Sequence, residues 1–176
     1  GVLNMTTMAL SLSHYVNAVS KRHAEVSRKM FPTHTIEALT NGVHALTWVA
    51  PPFKELFDRC LPGWRRDNDL LRNAVGIPKP EVWSAHLQAK RRLIDLLNRT
   101  GHPGFGEETL TIGFARRAAT YKRGDLLLRD TERLLRISRA AGSLQVVFAG
   151  KAHPQDQAGK EIIQRIVHAQ QRLKEE

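Results

Sequence analysis

The chain has 176 residues, 41% of them hydrophobic and 25% charged, and 27 Lys and Arg against 17 Asp and Glu give a formal charge of +10. That length suits one ordinary domain or parts of two, with apolar material enough for a core. The charge density, the lack of an apolar run near the roughly 20 residues that span a bilayer, and a lone cysteine, Cys60, exclude a membrane protein and a disulfide-stapled secreted scaffold, so a soluble cytoplasmic chain is expected.

Residues 4–30 place Met5, Met8, Leu12, Tyr15, Val16, Val19, Val26 and Met30 mostly three or four apart. That spacing predicts one amphipathic helix, capped by Asn4 and ended by Phe31-Pro32. Residues 33–80 are punctuated by Pro51-Pro52, Pro62-Gly63, Gly76 and Pro78, which leaves short helices near 53–60 and 66–74. Pro80-Glu81 opens a longer helix to about Arg99, with Val82, Trp83, His86, Leu87, Leu93, Ile94 and Leu97 on its buried stripe and Gly101 as its stop. The loop Gly101–Gly106 leads to a predicted strand over Thr109–Ala115, a helix over Gly124–Ala141, a second strand over Leu144–Ala149 and a helix over Gln157–Leu173. Strand, helix, strand, helix predicts a parallel unit, half of a doubly wound α/β domain. Two parallel strands make a poor free-standing sheet. The start at Gly1-Val2-Leu3 and the stop at Glu176 inside a helical pattern add to the expectation of a segment from a longer protein.

The basic excess is spread along the chain without a basic tail, which favours a solvated surface or a local anion site over a duplex footprint. Its densest part is Arg116-Arg117-Ala118-Ala119-Thr120-Tyr121-Lys122-Arg123. This run follows the first parallel strand, where open α/β sheets bind ligands. Arg117 can grip an anion through two parallel hydrogen bonds, Lys122 offers a point charge, and the amino terminus of the predicted next helix favours the same anion. A solvated basic turn explains the run equally well. Gly150-Lys151-Ala152-His153-Pro154 holds the equivalent place after the second strand, and it reads either as a second contact to the ligand or as a tight turn. In Thr40-Asn41-Gly42-Val43-His44, Asn-Gly makes a turn or presents an amide to a sugar hydroxyl. His14 reads by default as a structural histidine. The eight histidines show no metal-ligand spacing, so no metal is expected.

In this order the motifs resemble the α-glucan phosphorylases (glycogen, starch and maltodextrin phosphorylase), in their shorter bacterial branch. The resemblance is carried by Asn4-Met5-Thr6, His14 through Ser20, Glu25 through Arg28, Leu39 through His44, Thr47-Trp48, Gly113 through Arg123 and Phe148 through Pro154. It implies a central fragment of a two-domain glycosyltransferase of the GT-B type. Residues 1–38 would be the helical tail of the amino-terminal domain, 39–105 a helical and irregular linking region, and 106–176 the first part of a Rossmann-like carboxyl-terminal domain. The implied reaction is phosphorolysis of α-1,4-glucan to α-glucose 1-phosphate with retention, the partners being phosphate, glucan and the rest of the parent polypeptide, with no nucleic acid and no membrane.

The resemblance also implies pyridoxal phosphate, acting through its phosphate group, with its Schiff-base lysine outside this segment, so that the segment alone is inactive. By the same resemblance Arg116 meets the cofactor phosphate, Arg117 the substrate phosphate and Lys122 both. His14 lines the glucose subsite, Asn41 binds the 6-hydroxyl, and Lys151 joins by position. Many relatives carry lysine where Arg116 stands. Two other readings fit the residues: a module that binds nucleic acid or another polyanion, and a non-catalytic phosphorylase remnant that serves as an interaction surface. Aromatic content of 6% offers little for base stacking.

Overall fold

The computed structural model describes residues 3–175, with side chains as far as residue 173; Gly1, Val2 and Glu176, the ends named above, lie outside the described residues. The backbone divides into two compact units, Gly1–Pro78 and Lys79–Glu176.

In the first unit the single helix expected over 4–30 is replaced by three elements, α1 (Met5–Leu12), β1 (Asn17–Ala18) and α2 (Lys21–Met30). Asn4 caps α1 as expected, its side-chain oxygen accepting from the Thr7 amide at 3.0 Å. Ser13 leaves α1 in an extended conformation, and Ser20 starts a new helix by accepting from the His23 amide at 3.1 Å. The backbone between them pairs with distant residues. β1 runs parallel to β2 (Glu37–Ala38), with Asn17 opposite Glu37 and Ala18 opposite Ala38. Amide bonds from Glu37 to Val16 O (3.0 Å) and from Leu39 to Ala18 O (2.9 Å) tie the strands together. The core beneath them is Ala18, Ala24 and Ile36, with Val16 and Phe31 packed on it. Met5, Leu12, Tyr15, Val19 and Met30, expected on a buried stripe, are exposed.

Two further helices follow, α3 (Ala45–Trp48) and α4 (Pro51–Cys60), then a 3-10 stretch over Asn68–Gly76. Leu56 and Trp64 are fully buried here. The Trp64 indole N–H donates to Asp58 at 2.9 Å. Arg65 donates to both oxygens of the same carboxylate at 2.7 Å. These hydrogen bonds, from Arg65 first and Trp64 second, hold the Asp58 carboxyl down to about 2.

The second unit opens with α5 (Lys79–Arg99), as the Pro80 and Gly101 signals require. Its buried line is narrower than the expected stripe: Ala85 and Ile94 are inside, whereas Val82, Trp83 and Leu93 are exposed. Trp83 instead stacks on His86, with ring centroids 5.0 Å apart. Lys90 ties α5 to the carbonyl of Thr109 at 2.6 Å, and Arg91 pairs with Glu107.

The remaining elements are β3 (Leu110–Ala115), α6 (Thr131–Ala141), β4 (Leu144–Ala149) and α7 (Gln157–Glu175). β3 and β4 pair in parallel over their whole length, Leu110 opposite Leu144 and Ala115 opposite Ala149, which is the expected βαβ arrangement. The helix between them is shorter than the 124–141 read from sequence. Residues Thr120–Lys122 and Leu126–Leu128 form separate 3-10 turns. Arg123 ends the first turn in the left-handed region at φ 51°, and Asp130, at φ -129° and ψ 77°, interrupts the expected helix. Asp130 then caps α6 by accepting from the Arg133 amide at 2.9 Å. Among the described residues no helix is long and apolar enough to cross a membrane.

Candidate functional site

The parallel pairing puts the carboxyl ends of β3 and β4 side by side, and the pairing continues into the loops. The Arg116 amide donates to Ala149 O and the Ala118 amide to Lys151 O, both at 3.0 Å. The Arg116-Arg117 turn and the Gly150-Lys151 turn are therefore one double loop. Glycine is required at 150, because a Cβ there would collide with the Arg116 carbonyl. The loop is braced from behind by α7. Gly159 in its first turn lies against the Ala118 carbonyl, again without room for a Cβ, and the Asp156 carboxylate accepts from the Gly159 amide at 2.9 Å.

On this frame Arg116, Arg117, Lys151 and His153 are exposed and Lys122 is half-buried. The Lys122 ammonium sits 4.7 Å from the centroid of the Tyr121 ring, within cation–π reach. His153 Nδ1 accepts from the Gln155 amide at 3.2 Å. Among the described residues no carboxylate bonds to Arg116, Arg117, Lys122 or Lys151, whereas Arg22, Arg65, Arg72, Arg91 and Arg165 each hold one. An uncompensated group of cations on a fixed double loop attracts an anion and orients it.

The expected help from a helix start beside Lys122 and Arg123 is absent. α6 begins at Thr131, well past that turn, and its amino terminus is already capped by Asp130. The helix that does reach the loop is α7, and Asp156 caps its start. Asp156 and Gly159 escaped the sequence reading; an acidic cap three residues before a glycine, just past Pro154, was the available signal. Gln145 was also missed. Its side chain bonds both the amide and the carbonyl of Gly106, at 3.0 and 2.8 Å, and clamps the segment that leads into β3.

In the first unit, the His14 and Asn41 motifs meet through the β1–β2 pairing. The Asn41 amide donates to Val19 O at 3.0 Å. His14 precedes β1 and Asn41 follows β2, so the parallel register sets them toward opposite ends of the ladder. Both side chains are exposed. Beyond Asn41, His44 Nδ1 lies 2.7 Å from Thr47 Oγ1. Among the described residues no three His, Cys, Asp or Glu side chains are grouped to hold a metal ion.

No family model matches the chain. Comparison with curated proteins sets the chain among glycosyltransferases. The chain is 40% identical to maltodextrin phosphorylase of Thermococcus litoralis over 194 residues, covering 96% of the chain and 23% of that protein. It is 39% identical to glycogen phosphorylase of Aquifex aeolicus over 93% of the chain and 28% of that protein. It is 35% identical to glycogen phosphorylase of Mycobacterium tuberculosis over 93% of the chain and 22% of that protein. By sequence the chain belongs with the α-glucan phosphorylases, and it spans about a quarter of the length of the curated relatives it matches.

Proposed function

We propose that the chain supplies the phosphate-holding part of an α-1,4-glucan phosphorylase, a retaining GT-B glycosyltransferase of the cytoplasm that releases α-glucose 1-phosphate from glucan with inorganic phosphate. The supporting observation is the group of Arg116, Arg117 and Lys122 at the carboxyl ends of paired parallel strands with no carboxylate partner among the described residues. Two phosphates held close repel each other, so a site for both needs several fixed cations. In this reading Arg117 grips the substrate phosphate with two parallel hydrogen bonds. Arg116 holds the phosphate of pyridoxal phosphate, and Lys122, steadied on the Tyr121 ring, bridges the two as a point charge.

Cations without carboxylate partners fit a phosphate ester, and the bound cofactor would supply a proton-transfer partner to the substrate phosphate through that group. The chain's own residues position and neutralise charge; none acts as a nucleophile. Lys151, on the adjoining loop, adds a contact to phosphate. His14 lines the glucose subsite and Asn41 takes the 6-hydroxyl. Residues 1–38 belong to the amino-terminal domain of the parent, 39–105 to the linking region, and 106–176 to the Rossmann-like domain. The lysine that holds the cofactor covalently lies in the rest of the parent polypeptide, so the 176 residues alone bind phosphate without turnover.

Calorimetric titration of the chain with phosphate tests the assignment. Saturable binding that Arg117→Ala and Lys122→Ala each weaken is expected; binding indifferent to both sinks it. Glucose 1-phosphate formed from glucan by the pure chain would overturn the claim that it does not turn over.

A further inference from the structure

A basic hollow of about 540 Å³, apart from the double loop, opens in the same unit between α7 and the turn after Lys122, and none of Arg116, Arg117, Lys122 or Lys151 lines it. α7 contributes Arg165, His168, Ala169 and Arg172, spaced to share one helix face. Arg129 enters from the facing turn, and Asp125 sits between the two walls. Asp125 is mostly buried, its side chain 13% exposed, and accepts from Arg165 Nε at 3.0 Å; Arg129 Nη2 stands 3.9 Å away. That contact uses one edge nitrogen of Arg165 and orients the rest of its guanidinium, so ordering it on binding costs less. One carboxylate cannot neutralise three guanidiniums, and Arg172 bonds to no acid among the described residues. Ala169, 2% exposed, forms a floor too small to fill the space.

We propose that this hollow is a separate site for a compact anion of two or more charges, of the diphosphate type. Three guanidiniums carry more fork-shaped donors than one phosphate can accept, and the volume lies in the range of small-ligand pockets, about 300–1,000 Å³. The site goes beyond the phosphate-holding role proposed above and does not depend on it.

The test is pyrophosphate titration of the 176-residue chain by calorimetry, with the His168 ring resonances followed by NMR. To silence the first loop, the titration is repeated in the Arg117→Ala/Lys122→Ala variant. Saturable binding that persists there and moves the His168 resonances is expected. Adding Arg129→Gln/Arg172→Gln should then weaken it by about tenfold or more. Both arginines are exposed, and circular dichroism checks that the fold is retained. Loss of all binding in the first double variant, or indifference to the second, overturns the proposal. Methyl diphosphate that binds as tightly as pyrophosphate makes diphosphate esters the source of the ligand; weaker binding makes it the inorganic ion.

Discussion

Arg65 meets Asp58 through two contacts of 2.7 Å and lies 5.7 Å over the Trp64 ring, whereas Arg117 meets no carboxylate among the described residues. The two side chains are chemically identical and both lie at the surface, yet they act on different things. The charge of Arg65 is answered inside the fold, where it fixes the segment after α4 against a buried tryptophan. The charge of Arg117 is answered by no carboxylate among the described residues. The same contrast separates Lys90, which ties α5 to Thr109, from Lys151 on the double loop. In these two pairs the partnered cation holds the scaffold, and the one without a carboxylate partner stands at the strand ends where a ligand can be met.

The sharpest way to break this contrast is to remove one cation of each kind. Hydrogen bonds to charged groups contribute about 1.5–3 kcal/mol, so Arg117→Ala and Lys122→Ala should each weaken phosphate binding by about 10- to 100-fold. The thermal midpoint of Arg117→Ala should stay near that of the unaltered chain, because exposed substitutions usually change stability by less than about 0.5 kcal/mol. Arg65→Ala should do the reverse, lowering the midpoint while leaving phosphate affinity unchanged. Equal losses of affinity in Arg65→Ala and Arg117→Ala would erase the distinction.

A smaller effect on binding, coupled to a loss of stability, is expected at Gly150. Alanine there forces its Cβ onto the Arg116 carbonyl, and the backbone must shift to relieve it. Overpacking of this kind costs about 1–3 kcal/mol, and the displaced turn carries Arg116 and Arg117 with it. Thermal unfolding and phosphate titration of Gly150→Ala should therefore both worsen. A variant as stable as the parent, with parental affinity, would mean that the two loops are not fixed to each other.

What the sequence revealed follows the range of the forces involved. α5 and the βαβ unit were legible because their signals are local: Pro80 and Gly101 bound the helix, and Leu144–Ala149 is apolar at every position but Gln145. The cations 116–123 were legible as a cluster for the same reason. The stretch from His14 to Val19 was not, because its apolar spacing suits a helix while its backbone pairs with residues about twenty positions away. The braces of the double loop were hidden likewise. Nothing near Gly150 in sequence says that Arg116 lies against it, and nothing near Gly159 announces Ala118. The helix start assumed beside Lys122 failed because Leu126–Leu128 closes a separate 3-10 turn and Asp130 leaves helical geometry to cap α6.

The compensated side of the contrast has its own pH signature, the smallest of these effects. The Asp58 carboxyl is held near 2, against an ordinary value of 3.8, first by Arg65 and then by Trp64. A carboxylate whose folded value is depressed binds its proton more readily in the unfolded chain. Its contribution is therefore complete above about pH 3.8 and is lost as the pH falls toward 2. Both groups of the pair are partly open to solvent, at 51% and 42% of their side chains, so screening by water and salt keeps the effect modest. Asp58→Asn keeps an acceptor for the Trp64 indole but removes the ionisation. Urea unfolding between pH 2 and 5 should show stability falling with acid less steeply in Asp58→Asn than in the parent, the difference closing toward pH 2 and lessening in high salt. Parallel curves across that window would mean that Arg65 does not hold the carboxylate in solution, and the assignment of Arg65 to the scaffold would fall with it.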